Sequence, residues 1–187
     1  MRTGFIAATV ALLALGSQAA AESAGRTAAY SELRDREIKA LSAERVRDLR
    51  IGRGAGYALA AELNGYPGPL HVLDLAEDLA LTPDQRSAVE ALFRAMAAEA
   101  RPLGARLLER ERSLERLFAE GRATPDELSR TVAAAAETEG ALRATHLRYH
   151  IETHRLLTEA QRADYARLRG YSGPSADGEG RGQGHAH

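Results

Sequence analysis

The sequence predicts an all-α protein, and three observations carry that prediction. Ala, Leu, Glu and Arg dominate while aromatic residues make up only 5% of the chain and β-branched residues are sparse, a balance that favours helices over sheets. From residue 89 onward, apolar residues recur at steps near three and four, the spacing of one helix face. Three segments carry the chemistry of a helix start: Leu81-Thr82-Pro83-Asp84-Gln85, Thr124-Pro125-Asp126-Glu127 and Leu157-Thr158-Glu159-Ala160-Gln161. The 187 residues amount to one modest domain.

Composition also removes whole classes of function. The 25 Lys and Arg against 26 Asp and Glu give a formal charge of -1, without the basic excess of a nucleic-acid binder. The absence of Cys excludes a disulfide framework, a thiolate metal site and a Cys nucleophile.

Taken in order, Met1 and Arg2 precede an uncharged, largely apolar run over 3–16, and small residues follow to Ala21. This reads as a secretory signal peptide over 1–21, with Ala19 and Ala21 forming an A-x-A cleavage site. The apolar stretch is shorter than the ~20 residues needed to span a bilayer, and no later stretch is long and uncharged enough. The expected mature protein is exported to a bacterial periplasm and is not membrane-embedded; without Cys it is no lipoprotein.

The mature chain divides into a helical domain over 22–171 and a Gly- and His-containing tail over 172–187 that is expected to be disordered. Within the domain, 22–70 holds short helices and a loop. Leu33, Ile38, Leu41, Val46 and Leu49 supply its apolar face, and Ser42 offers a helix cap. Gly52, Gly54 and Gly56 loosen the backbone before an Ala-rich stretch over 57–63, and turn formers fill 64–69. The region 71–171 is the expected hairpin core. After a short helix over 71–79, Thr82 caps a helix carrying Val89, Leu92, Phe93, Met96 and Ala100, which Pro102 is expected to kink or break. Leu107, Leu114, Leu117 and Phe118 continue the apolar face to Gly121. The next helix shows a stripe of Leu128, Val132, Ala135, Leu142, Tyr149 and Leu156. Leu147 and Ile151 point away from that stripe, which implies burial on both sides or a second chain. A last short helix runs to about Arg169.

The two copies of L-T-x-x-Q, at Leu81, Thr82, Gln85 and at Leu157, Thr158, Gln161, sit in a signal-bearing, Cys-free helical chain. This resembles the LTxxQ-motif family of periplasmic helical proteins, which includes Spy- and CpxP-type chaperones and related metal-resistance proteins. The stretch Glu62-Leu63-Asn64-Gly65-Tyr66-Pro67-Gly68-Pro69 is similar to the branch of periplasmic heavy-metal sensors. The resemblance covers about residues 38–171. It implies a four-helix-like hairpin fold with long kinked helices, dimerising into a cradle that holds unfolded clients or metal. The motif residues themselves read first as caps and packing. Spy-like cradles are basic, whereas removal of the signal here takes away Arg2 and leaves acids in slight excess.

His146, His150 and His154 recur every four residues and form one nearly straight ridge on a helix. Imidazoles so spaced can reach one Zn²⁺, Ni²⁺ or Cu²⁺ ion, with carboxylates or a dimer mate completing the shell. The alternative is that His146 borders the core while His150 and His154 are solvated. His150-Ile151-Glu152-Thr153-His154 nearly imitates H-E-x-x-H, but its Glu is displaced to the far side, so a protease is rejected. His71 and Asp74 read as a surface hydrogen bond, and His185 and His187 as exposed tail residues. No nucleophile elbow, P-loop or dinucleotide fingerprint occurs, and no acid pair stands out, so no catalytic residue and no enzyme is expected. The expected function is sensing or buffering of transition metal in envelope or metal stress through the His ridge. The competing expectations are an ATP-independent chaperone using Leu147 and Ile151 as its client or dimer face, and a regulatory partner of a membrane stress sensor.

Overall fold

The computed structural model describes residue 30 and residues 33–171. The expected signal peptide and the tail over 172–187, with His185 and His187, lie outside the described residues. Among the described residues six helices are delimited: α1 Ala43–Ile51, α2 Leu59–Glu62, α3 Pro69–Asp74, α4 Pro83–Ala119, α5 Pro125–Leu156 and α6 Glu159–Leu168. There is no strand among the described residues. The fold is therefore all-α, as the composition predicts, and its frame is a long hairpin of α4 and α5.

The helix starts form as their sequences dictate. Ser42 accepts from the Arg45 amide at 3.1 Å, and Thr124 accepts from Glu127 N at 3.3 Å. Thr82 and Thr158 each complete a reciprocal cap with the Gln three residues on. α1 ends at Gly52, whose φ of 75° lies in the left-handed region that glycine adopts without penalty.

The two L-T-x-x-Q motifs meet in space. Gln85 Nε2 donates to Gln161 Oε1 at 2.9 Å, and Gln161 Nε2 donates back to Gln85 Oε1 at 3.0 Å. Each amide also donates to a backbone carbonyl, Leu156 for Gln85 and Leu79 for Gln161. Every hydrogen-bonding site of both amides is thereby filled, so this pair pins the start of α4 to the start of α6 across the open end of the hairpin.

Two apolar clusters fill the interior. One joins Ile38, Val46, Leu49 and Tyr57 to Ala100, Leu107, Leu108, Ala135 and Leu142. The other joins Val72, Leu79 and Val89 to Leu157 and Tyr165. α1 crosses α4 so closely that a Cβ on Gly104 would stand 2.1 Å from the Leu49 carbonyl oxygen, so only glycine fits that helix position.

The structure narrows three sequence expectations. Of the kink or break expected at Pro102, the break does not occur: α4 runs unbroken through it for 37 residues. Proline removes one ladder hydrogen bond, but buried Ala100, Gly104, Leu107 and Leu108 hold both flanks against α1 and α5. The α5 stripe is buried at Ala135, Leu142 and Tyr149 and half-buried at Leu156, whereas Leu128 and Val132 are exposed, because neither apolar cluster extends to the turn end of the hairpin. Burial on both sides of α5 is not realised among the described residues, where Leu147 is half-buried and Ile151 is exposed.

Candidate functional site

A cavity of about 460 Å³ lies where the 52–56 loop, α2 and α3 meet α4 and α5. Asp48, Arg53, Glu62, His71, Asp74, His146, His150, Arg169 and Tyr171 contribute its ionisable and phenolic groups, and Met96 adds a thioether from α4.

Glu62, the last residue of α2, is the centre of this cluster and is only 6% exposed. Tyr165 of α6 donates its hydroxyl to Oε1, and the Tyr171 hydroxyl donates to the same oxygen at 3.2 Å. His71 Nδ1 of α3 stands 3.3 Å from Oε1 and Arg169 Nε 3.8 Å from it. Across the carboxylate, His150 Nδ1 is 3.5 Å from Oε2. Burial alone would raise the pKa of this carboxyl. The hydrogen bonds from His71 and Tyr165 and the nearby His150 outweigh burial and hold it below the ordinary carboxylate range. Glu62 is thus an ionised acceptor. The Tyr165 phenol is pushed well up, by burial first and then by Glu62.

The loop 64–68 folds over His150 and brings the Tyr66 carbonyl to 2.8 Å from its Nδ1. Both neighbours of Nδ1, that carbonyl and Glu62, only accept, so Nδ1 carries the proton and Nε2 keeps its lone pair. Burial lowers the His150 pKa, opposed by the Tyr66 carbonyl and Glu62. Gly68 is what lets the loop approach: a Cβ there would meet His150 Cε1 and Nε2 at 2.8 Å.

His146 lies one turn earlier on α5 and is 1% exposed. Burial first, then His150 and Arg45, lower its pKa to about 4, so it is a neutral imidazole at neutral pH. Its Nε2 is buried without a hydrogen-bond partner among the described residues. Such an orphan costs on the order of 1–3 kcal/mol and calls for an explanation. The ring stacks against Tyr57, centroids 6.1 Å apart and planes at 20°. Tyr57 is fixed in turn by its hydroxyl on Glu139 at 3.1 Å and by the Arg45 guanidinium 4.2 Å above its ring. Burial, with Glu139 adding to it, raises the Tyr57 phenol to about 12.

The three ridge histidines therefore part company. His146 and His150 face the cavity, whereas His154 stacks on the Tyr66 ring, centroids 4.5 Å apart, outside the cavity lining. Burial, then Arg162 and Arg155, lower its pKa. The expectation that His150 is solvated is corrected, because a loop of turn formers covers it. His71 bonds Glu62 instead of Asp74, although both line the cavity. Among the described residues no three His, Asp or Glu side chains stand converged as a ready-made metal shell.

Sequence reasoning missed Glu62 as the hub, along with Tyr165, Arg169 and Tyr171. A signal was present: Glu62 closes the Ala-rich stretch that packs on α5, where an acid is costly unless partnered. The chain matches no family model, no curated protein and no solved structure.

Proposed function

We propose that the protein binds a transition-metal cation, Zn²⁺, Ni²⁺ or Cu²⁺, in this cavity and acts by binding alone, as a sensor or buffer in the metal or envelope stress response. The observation that carries the reading is the unpartnered Nε2 of buried His146 on the same cavity as ionised Glu62 and as His150. Neutral imidazoles and a carboxylate are the donors these ions take. His146, His150, His71 and Glu62 would hold the ion, which supplies a fixed positive charge when bound.

The residues are suited to that task before any ion arrives. His150 has its Nδ1 proton anchored on a carbonyl, the outer partner that sets which nitrogen of a ligating histidine is free. His146, with a pKa of about 4, has no proton to lose at neutral pH, so proton competition is weak there. In this reading His154 steadies the loop through Tyr66 and is not a ligand. The signal-like segment at 1–21 supports a periplasmic setting, and the paired motifs support kinship with LTxxQ proteins.

Calorimetric titration of the tag-free protein with each ion tests the proposal. Micromolar or tighter binding is expected, lost in His146→Ala/His150→Ala and kept in His154→Ala. No binding, or loss only in His154→Ala, rejects it.

A second reading rests on the exposed apolar side chains of α5, Leu128, Val132 and Ile151, which fit an ATP-independent chaperone, a homodimer or a docking face for a membrane stress sensor. Ile151→Glu is expected to abolish suppression of client aggregation, or to convert a dimer to a monomer in sedimentation, without changing metal affinity.

A further inference from the structure

The oxygen Oε1 of Glu62 gathers the C-terminal end of the described chain. Tyr165 and Tyr171 both donate to it, and Arg169 stands 3.8 Å away. Arg169 also donates from Nε and Nη2 to the Tyr171 hydroxyl, at 3.2 and 3.0 Å. These three residues form one clamp on one carboxylate. His71 addresses the same oxygen at 3.3 Å, so Oε1 has more suitors than its lone pairs can serve well.

The contested carboxylate is also the buried one of the three carboxylates on the cavity, whose wall includes Glu62, Arg169 and Tyr171 together. A divalent cation and the Arg169 guanidinium are like charges competing for one buried anion, and close like charges repel strongly away from water. Ligation would also draw electron density from the oxygen that the two phenols now use. The start of α6, by contrast, is held elsewhere, through Gln161 on Gln85 and the Leu79 carbonyl.

Taking the cavity as a cation site, as proposed above, we propose that its occupancy is coupled to the clamp. Tyr165, Arg169 and Tyr171 loosen their hold on Glu62 when it turns to a cation, and residues 165–171 become less ordered while the Gln161 anchor stays closed. The metal state of the cavity is thereby converted into a mechanical state of the C-terminal end. Coupling of this kind is reciprocal: the factor by which a bound cation weakens the clamp is the factor by which the closed clamp weakens cation binding, so loosening the clamp strengthens cation binding.

Amide hydrogen exchange and Zn²⁺ titration on the tag-free protein test this together. Saturating Zn²⁺ is expected to speed exchange over 165–171 and leave 158–161 unchanged, and Glu62→Gln is expected to abolish the response. Tyr165→Phe/Tyr171→Phe is expected to bind Zn²⁺ about five-fold tighter or more. Tyr171→Phe alone, at a half-buried position, is expected to move in the same direction and serves if loss of the Tyr165 hydroxyl unfolds the chain. Wild-type binding of Zn²⁺ with unchanged exchange over 165–171 and unaltered affinity in the Phe variants overturns the coupling and leaves the cation site standing. Absence of Zn²⁺ binding by the wild type overturns both.

Discussion

At the scale of single residues, burial without partners sets the chemistry. His146 has a folded pKa of about 4 against the ordinary 6.5, so between these values the unfolded chain binds more protons than the folded one. Its stabilising contribution is complete above pH 6.5 and is lost as the pH falls towards 4. In urea unfolding at pH 7.5 and 4.5 without added metal, the wild type is expected to lose up to about 3 kcal/mol more than His146→Gln. Equal losses would show that His146 is not held neutral by the fold. Gly68 acts by steric means. Gly68→Ala puts a methyl into the His150 ring and is expected to destabilise the protein by about 1–3 kcal/mol in thermal unfolding. An unchanged melting temperature would mean that the 64–68 loop does not rest on His150.

At the scale of elements, helix starts were legible because each is written in a few adjacent residues. Ser42, Thr82, Thr124 and Thr158 all cap as their side chains predict. A break at Pro102 does not occur because propensity is a local statement, and the packing of α4 on both sides of the proline outweighs the lost hydrogen bond. Since Pro102 is itself exposed, Pro102→Ala is expected to raise stability by about 1–3 kcal/mol, read from urea midpoints at constant slope. No gain would indicate that the ladder there is already open for another reason. That the two motifs bond to each other was not legible, since nothing local distinguishes two capping boxes from two capping boxes in contact. Gln85→Ala and Gln161→Ala are each expected to cost about 1–3 kcal/mol by stranding the other amide. The double variant should cost clearly less than the sum, a coupling that a double-mutant cycle measures.

At the scale of the whole molecule, the hairpin was predictable from periodicity, but the cavity was not. It is assembled from residues far apart in the chain: Glu62 meets His150 of α5 and Tyr165 of α6 only because the short N-terminal helices lie against the hairpin. The histidine ridge was visible as a four-residue spacing. Which of its members face inward depends on where the 64–68 loop comes to rest, and a helical wheel of α5 alone has no access to that. The same assembly places a buried anion, neutral imidazoles and the C-terminal clamp around one space, and this juxtaposition is the basis of the proposed metal function. The most direct measurement is the anomalous difference density of crystals grown with Zn²⁺, recorded at the zinc edge. A peak bounded by Glu62, His71, His146 and His150 is the predicted result. A peak on His154 outside the cavity, or a cavity without density beside a protein saturated with the ion, would contradict it.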